Sequence, residues 1–452
     1  MSGAAPERPL LAWLGDDFTG AAAVAEALTF AGLPAAVFLE PPTPADLEAL
    51  PGLRGVGLAG TARARGATWM DSHLPAAFAT LAGLGAELSL HKVCSTLDSS
   101  PAIGSIGRAV ELARDSFAAG WSPVLAAAPP LGRWQAFGTL FATGPGGIHR
   151  LDRHPIMSRH PATPMDEADV ARHLARQTTG AVSALTLPDM ADIGLAEAAL
   201  DRLLRAGASL VTLDCVDDAT LATAGELLWR RRRGLLAVGS QGVAYALIEM
   251  LRRRGDLGGA GPLPPAGRER VAAASGSVSA TTEVQLASAE ADGFVVVPLE
   301  AAAVVDPVGA DIEVARTLDA ARRAWTAGRS VLVASARGPD DPAIGRLREA
   351  ARGRPPEAAS EAIGDALGRV LAGLLGPGGP RRLVVSGGDT SGHAARRLGL
   401  RTLVPIAETV PGAALCRARR VGGGEIEIAL KGGQMGTPDY FAWIRDGGGP
   451  RP

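Results

Sequence analysis

Pro9-Leu10-Leu11-Ala12-Trp13-Leu14-Gly15-Asp16-Asp17-Phe18-Thr19-Gly20 is the stretch from which the fold is read. Pro9–Leu14 is a short apolar run and reads as a strand. Gly15–Thr19 reads as a turn, and Gly20 to about Gly32 as a helix. The same alternation continues outward. Ala35–Leu39, Val56–Leu58, Leu88–Val93 and Val124–Ala127 read as strands, with helices over about Ala67–Ala82 and Ile103–Ala118. After an irregular stretch, Val182–Leu187, Leu210–Leu213 and Leu235–Val238 are strands separated by helices. Arg270–Ala274, Phe294–Val297, Ser330–Ala334, Leu383–Val385 and Ile426–Leu430 form a second such run. This pattern predicts α/β layers with mostly parallel sheets.

Between the two runs, Arg254–Arg268 is rich in Gly and Pro and has no periodicity. It predicts two α/β domains, residues 1–253 and 270–452, joined by a linker over 254–269. A length of 452 residues also favours two or three domains over one. The tail Gly447–Pro452 is expected to be disordered.

Composition excludes several classes of function. Hydrophobic residues make up 47% of the chain, enough for sizeable cores, so global disorder is excluded. Aromatics are only 4%, so those cores must be built from Ala, Val, Leu and Ile. The formal net charge of -2 lacks the basic excess of a protein that binds nucleic acid by neutralising phosphates. The clusters Arg230–Arg233 and Arg252–Arg254 fall at helix ends and read as solvated or dipole-complementing faces. Cys94, Cys215 and Cys416 are scattered, which argues against a disulfide framework or a structural zinc site. No apolar run is long enough to span a membrane, and Met1–Pro9 lacks the pattern of a signal peptide. The expectation is a cytoplasmic protein.

Lysine usage is more pointed than these averages. Lys and Arg total 45, yet Lys occurs only at Lys92 and Lys431. Either these are chance survivors, or each position needs a compact ammonium rather than a planar fork. Asn is absent, so a site amide must come from Gln or the backbone.

Five motifs carry candidate chemistry. In Gly15–Gly20, Asp16 and Asp17 sit at the end of a strand, where open α/β sheets bind ligands. One of them, or Thr19, can cap the following helix. A carboxylate pair is costly there unless a cation or a polyhydroxylic ligand meets it, and a vicinal diol is a fitting partner. The segment His91–Ser100 follows a strand with Lys92, Cys94, Ser95, Thr96 and Asp98, then leads through Gly104–Arg108 into a helix. It suits a polyol bearing a carboxylate, or is an ordinary capped loop. Cys94 has no evident base and reads as a packing residue rather than a nucleophile.

The other three motifs are strand–glycine turns. Ser275–Thr282 offers Ser277, Ser279 and backbone N–H groups to a phosphate, without the GKS or GKT of a Walker motif. In Val384–Gly392, Gly387 and Gly388 permit close approach of a phosphate, and Asp389 can hold Mg²⁺ or accept a hydroxyl proton. Leu430–Gly436 adds Lys431, Gly432, Gly433, Gln434 and Met435. Three such turns in one domain point to a nucleotide. His149, His154 and His160 lack metal-ligand spacing and read as a surface loop or as a cationic cover over an anionic substrate; no metal site is assigned.

Taken together, these motifs resemble the four-carbon acid sugar kinase family over nearly the whole chain. The matching segments are Asp16–Gly20 (DDFTG), Lys92–Thr96 (KVCST), His160–Met165 (HPATPM), Gly239–Ala244 (GSQGVA), Gly276–Gln285, Gly387–Gly392 (GGDTSG) and Leu430–Gly436 (LKGGQMG). The resemblance implies ATP-dependent phosphorylation of a tetronate or oxo-tetronate with Mg²⁺, in a cleft between the two domains. It implies substrate contacts from Asp16, Asp17 and the Lys92–Thr96 segment that includes Cys94, with Arg63 clamping the carboxylate. It implies nucleotide contacts from Ser277, Ser279, the turn Gly387, Gly388, Asp389 and Thr390, and Lys431, Gly432, Gly433, Gln434 and Met435. Asp389 and Asp17 are the candidate catalytic carboxylates. This chain departs from the commoner pattern at Gly432, Gln434 and Val278, and after Thr96, so the particular acid is open. A branched oxo-acid and a homodimer also stay open. The alternative is a sugar-acid sensor that has kept the fold without catalysis. A dinucleotide oxidoreductase is disfavoured, because the paired Asp would repel a pyrophosphate.

Overall fold

The computed structural model describes residues 8–160, 162–258 and 263–451, without the side chains of Pro356, Glu357 and Asp389. The chain divides into two compact units, Met1–Ala260 and Gly261–Pro452. In the first unit, β1 (Leu11–Gly15), β2 (Ala35–Phe38), β3 (Gly55–Leu58), β4 (Leu88–Lys92) and β5 (Ser122–Leu125) come first. Three antiparallel strands come next, β6 (Arg133–Ala136), β7 (Thr139–Gly144) and β8 (Gly147–Arg150). Then come β9 (Ala181–Leu185), β10 (Ala208–Leu213) and β11 (Leu236–Gly239). Eight of these form a parallel sheet in the order β2-β3-β1-β4-β11-β5-β10-β9.

Every residue of β1 is buried, as expected of a parallel strand covered on both faces. The aromatic-poor composition shows in how its one large ring is housed. Trp13 is fully buried, and its indole lies where a side chain on Gly57 would stand, 2.3 Å from an added Cβ. The indole N–H donates to Ala21 O at 3.0 Å, so strand and first helix are tied by one buried hydrogen bond.

In the second unit, β12 (Val271–Ser275), β13 (Val295–Pro298), β14 (Val331–Ala334), β15 (Arg382–Ser386), β16 (Leu400–Ala407), β17 (Leu415–Arg420) and β18 (Glu425–Lys431) lie in the order β13-β14-β12-β15-β18-β17-β16. The first five in that order are parallel; β17 and β16 add on antiparallel. In both units the first strand is central, the next two lie to one side, and the fourth crosses to the other. That crossing is a topological switch point, and the loops after the flanking strands diverge there to leave a crevice.

Several sequence expectations are corrected. The irregular stretch after Val124–Ala127 contains the β6–β8 sheet, whose tight turns at Phe137-Gly138 and Gly146-Gly147 use positive φ. The strands β16 and β17 have no counterpart among the sequence expectations. The helix expected over Ile103–Ala118 spans Ile106–Ala113, because Gly104 turns at φ +61 and Ser105 caps through Arg108 N at 3.2 Å. The first helix is Phe18–Phe30, two residues earlier than expected. The described part of the tail is ordered: Gly449 N donates to Glu408 O, and Arg451 pairs with Asp439 at 2.7 Å and stacks on Trp443. The arginine clusters do lie at helix ends and are paired, Arg230 with Glu226 and Glu197, Arg254 with Glu226. No described helix is long and apolar enough to cross a membrane.

Candidate functional site

At the switch point of the first unit, the chain leaves β1 into Asp16 and Asp17. Asp16 N donates to Lys92 O at 2.8 Å, and Arg63 N donates to Asp16 O at 3.0 Å, so the ends of β1 and β4 and the loop after β3 are stitched together. The approach is close. A side chain on Gly60 would stand 2.1 Å from Gly15 O. Arg63 grips Asp16 with both arms of its fork, Nε to Oδ2 at 3.1 Å and Nη2 to Oδ1 at 2.6 Å, and Nη2 also donates to Asp17 Oδ1 at 2.7 Å. Asp17 is the N-cap of the first helix, accepting from Gly20 N at 3.0 Å and Thr19 Oγ1 at 2.6 Å. Capping and cation pairing therefore coexist in one carboxylate.

Burial works to raise both carboxyls. For Asp16 it prevails over Arg63 and lifts the group above the usual value. For Asp17, Arg63 and Lys92, helped by Thr19 and Gly20 N–H, outweigh burial and hold the group below it. Arg63 gains the converse: its two carboxylates outweigh burial and raise it well above the ordinary guanidinium value. Lys92 is buried, and its Nζ donates to Val93 O at 2.7 Å. Nζ lies against Gly20, where an added Cβ would be 2.8 Å away.

Beyond Lys92 a hydrogen-bond chain runs from Cys94 Sγ to Thr96 Oγ1 at 2.9 Å and on to Asp98 Oδ1 at 2.6 Å. Burial pushes the Cys94 thiol up to about 11, with Asp98 adding to the shift, so it is a thiol at neutral pH and no nucleophile. Ser95 is half-buried in the same turn. Leu97 comes next but one at φ +52 with its side chain fully in the core, a left-handed non-glycine residue held by packing. Behind it, buried Ser99 meets His173 Nε2 at 3.0 Å and Gln177 Nε2 at 2.9 Å, which anchors the loop from the rear.

The second unit builds its switch point from hydroxyls and glycines. Thr282 Oγ1 donates to Ser277 Oγ at 2.9 Å, and Ser279 caps the helix Ala280–Ala291 through Thr282 N at 3.1 Å. Ser279 Oγ and Thr282 Oγ1 lie 2.6 and 3.0 Å from Gly433 O, joining the loops after β12 and β18. Gly276 N donates to Ser386 O and Gly387 N to Lys431 O, which draws in the loop after β15. The glycines are required by contact. A Cβ on Gly276 would stand 2.2 Å from Thr390 Oγ1, and one on Gly433 2.2 Å from Ser277 Oγ. Gly387 adds φ +121.

Lys431 is fully buried at the end of β18. Its Nζ lies 3.3 Å from Gly432 O and 5.7 Å from the centre of the Tyr440 ring. Burial pulls it down to about 8. Gly388 and Asp389 open the helix Gly388–Arg397; the Asp389 side chain lies outside the described residues. Gln434 is exposed, and Met435 packs on the core of this unit. Thr282 and Gln285 lie in the Gly276–Gln285 motif, but sequence reasoning assigns them no role. Gln285 Nε2 holds Met435 O and Thr437 O at 2.9 and 3.0 Å. Their spacing from Ser279, three and six residues on, puts all three on one helical face and was the available signal. His154, read from sequence within a surface loop, is buried and receives Ile156 N and Met157 N at its Nδ1.

Two family models match the chain one after the other. Residues 11–247 match the family described as "Sugar-binding N-terminal domain", and residues 272–441 that described as "Nucleotide-binding C-terminal domain". The 3-oxo-isoapionate kinase of Paraburkholderia graminis is 43% identical over 98% of this chain and 95% of its own. The 3-oxo-tetronate kinase of Methylobacterium radiotolerans is 32% identical over 96% of this chain and 98% of its own. Crystal structures from Salmonella typhimurium LT2 (24% identical) and Haemophilus influenzae (22%) share the fold, with TM-scores of 0.76 and 0.73. Each covers 96% of this chain, with 98% and 99% of their own chains matched. With both domain families matched in order, and kinases aligned almost end to end, the chain belongs to the four-carbon acid sugar kinase family.

Proposed function

We propose that this kinase transfers the γ-phosphoryl group of ATP to a hydroxyl of a 3-oxo sugar acid. The observation that carries the reading is the cradle of the second unit, where interlocked hydroxyls and obligatory glycines join the loops after β12, β15 and β18, and β18 ends in a buried ammonium. Among the described residues, Lys431 Nζ hydrogen-bonds a carbonyl, and Ser386 Oγ is buried without a partner. Buried cations and donors of this kind fit an anion with many acceptor oxygens. Ser277, Ser279, Thr390 and the N–H groups of Gly388 and Gly433 would hold the phosphates, with Gly387 letting them approach the backbone and Lys431 offsetting their charge. Mg²⁺, for which the sequence offers Asp389, would supply charge neutralisation to the transferring group.

On the first unit, Asp16 and Asp17 would accept from the hydroxyls of the sugar acid, and Ser95 and Thr96 would supply further polar contacts. Of the two carboxylates, Asp16 is the better proton acceptor, because burial raises its proton affinity while Asp17 is held ionised. Phosphoryl transfer needs little from a base, so positioning and charge dominate. The acceptor is weighted toward 3-oxo-isoapionate over 3-oxo-tetronate, on 43% against 32% identity. A reaction that consumes ATP in sugar-acid metabolism belongs in the cytoplasm. The test is ADP release with Mg-ATP across a panel of tetronates, 3-oxo-tetronates and branched oxo-acids. Turnover is expected on a 3-oxo acid. Tight binding of one acid with no ADP release would instead identify a sensor.

A further inference from the structure

In the first unit, Arg63 is already engaged. Both arms of its fork hold Asp16, and one also holds Asp17. The cluster Asp16, Asp17, Arg63 and Lys92 sets two carboxylates against two cations, so an incoming acid meets no surplus positive charge there.

A different arginine meets that need. Arg133 opens β6, in the small antiparallel sheet that comes after β5. In the parallel sheet β5 is separated from β4 by β11 alone, so their carboxyl ends are about 10 Å apart. Nη1 of Arg133 is tied to the backbone, to Gly132 O at 2.9 Å, Leu131 O at 3.2 Å and Thr143 O at 3.3 Å. Its Nε is buried with no partner, and among the described residues no carboxylate pairs with the guanidinium. Gly132, at φ +68, lets the chain turn back so that those carbonyls fix the fork. Burial draws the guanidinium below its usual value, while Cys94 and Asp98 act the other way from the loop after β4. Those two residues belong to the hydrogen-bond chain Cys94–Thr96–Asp98 of the loop after β4, the segment proposed to contact the sugar acid. A buried, unpaired guanidinium N–H costs stability that an incoming carboxylate would recover.

We propose that Arg133 receives the carboxylate of the sugar acid, and that Arg63 instead sets the position and charge of Asp16 and Asp17. This rests on the kinase reading for the name of the ligand, not for the role of the arginine. The small sheet is then a substrate-binding element, carried to the crevice by the chain leaving β5.

The test separates binding from turnover. Calorimetry without ATP measures the affinity of the best acid, and of its uncharged primary amide, for the wild type, R133M and R133K. Initial rates then give KM for acid and for ATP, and thermal melts check folding. Loss of one charge-assisted contact predicts roughly 10- to 100-fold weaker acid binding in R133M. The preference for acid over amide should collapse, while KM for ATP stays unchanged. R133K should recover part of that preference, because it keeps the charge without the fork. Arg150→Met, in the same sheet but paired with Asp152, should leave acid affinity unaltered. An unchanged acid-to-amide ratio in R133M would overturn the proposal; if R133M melts early, full wild-type affinity and ratio in R133K would do so. Failure of the kinase reading shows separately, as acid binding that still needs Arg133 with no ADP released by the wild type.

Discussion

β1 and β12 hold the same place in the same strand order, yet the loops they lead into differ in kind. After β1 come four charges in mutual contact or close by, two of them carboxylates locked on one guanidinium. After β12 come hydroxyls, glycines and a lone ammonium. The first arrangement is organised by its own ion pairs. The second is organised by backbone and hydroxyl contacts, and its buried ammonium meets a carbonyl, Gly432 O, at 3.3 Å. One topology thus carries two chemically different loop clusters, because the switch point provides only the place where they meet.

The comparison is broken most sharply at Arg63. If the first site is held by its own charges, Arg63→Ala strips buried Asp16 and half-buried Asp17 of their direct ion-pair partner and leaves Lys92 as the one cation of the cluster. Urea unfolding should then show a loss of about 3–5 kcal/mol, and an unchanged midpoint would mean that the ion pairs are incidental. For the second site the matching change is steric. Gly276→Ala or Gly433→Ala puts a methyl into Thr390 or Ser277, and kcat/KM for ATP should fall on the order of 100-fold. Calorimetric affinity for the acid should not move.

Lys431 sharpens the contrast through pH. A free-enzyme ammonium at about 8 is charged below that pH and loses its proton above it. Since phosphate contact needs the charged form, kcat/KM for ATP should decline as pH rises through 8. Lys431→Arg should move that decline to higher pH. The smallest effect belongs to Cys94. With its thiol pushed up to about 11, Cys94→Ala should alter turnover by about twofold or less, and iodoacetamide at pH 7.5 should inactivate slowly.

The parallel strands were legible because each is an apolar run beside a helix, and β1, β4, β12 and β15 each end in a polar or glycine turn. The sheet β6–β8 was not, since Arg133–Arg150 mixes charges, aromatics and four glycines in strands of four to six residues. Its register depends on contacts distant in sequence, such as the buried carboxylate of Asp214, which accepts from Gly138 N and Gln135 Nε2. Arg133 escaped notice for the same reason. The pairing of Arg63 with Asp16 and Asp17 was also beyond the sequence, because 47 and 46 residues separate the partners. The ammonium at Lys431 was picked out by rarity, whereas the contacts of Ser279 and Thr282 with Gly433 O, about 150 residues away, needed coordinates.

That rarity has a practical side. The chain has two lysines, one at each crevice, and both are buried. Amine-directed reagents therefore find almost no background on the folded protein beyond its α-amino group. Acylation of Lys92 would report opening around the ends of β1 and β4 in the first unit, and acylation of Lys431 opening around the end of β18 in the second. Digestion and mass spectrometry of one labelled sample would read the exposure of both, without an introduced probe.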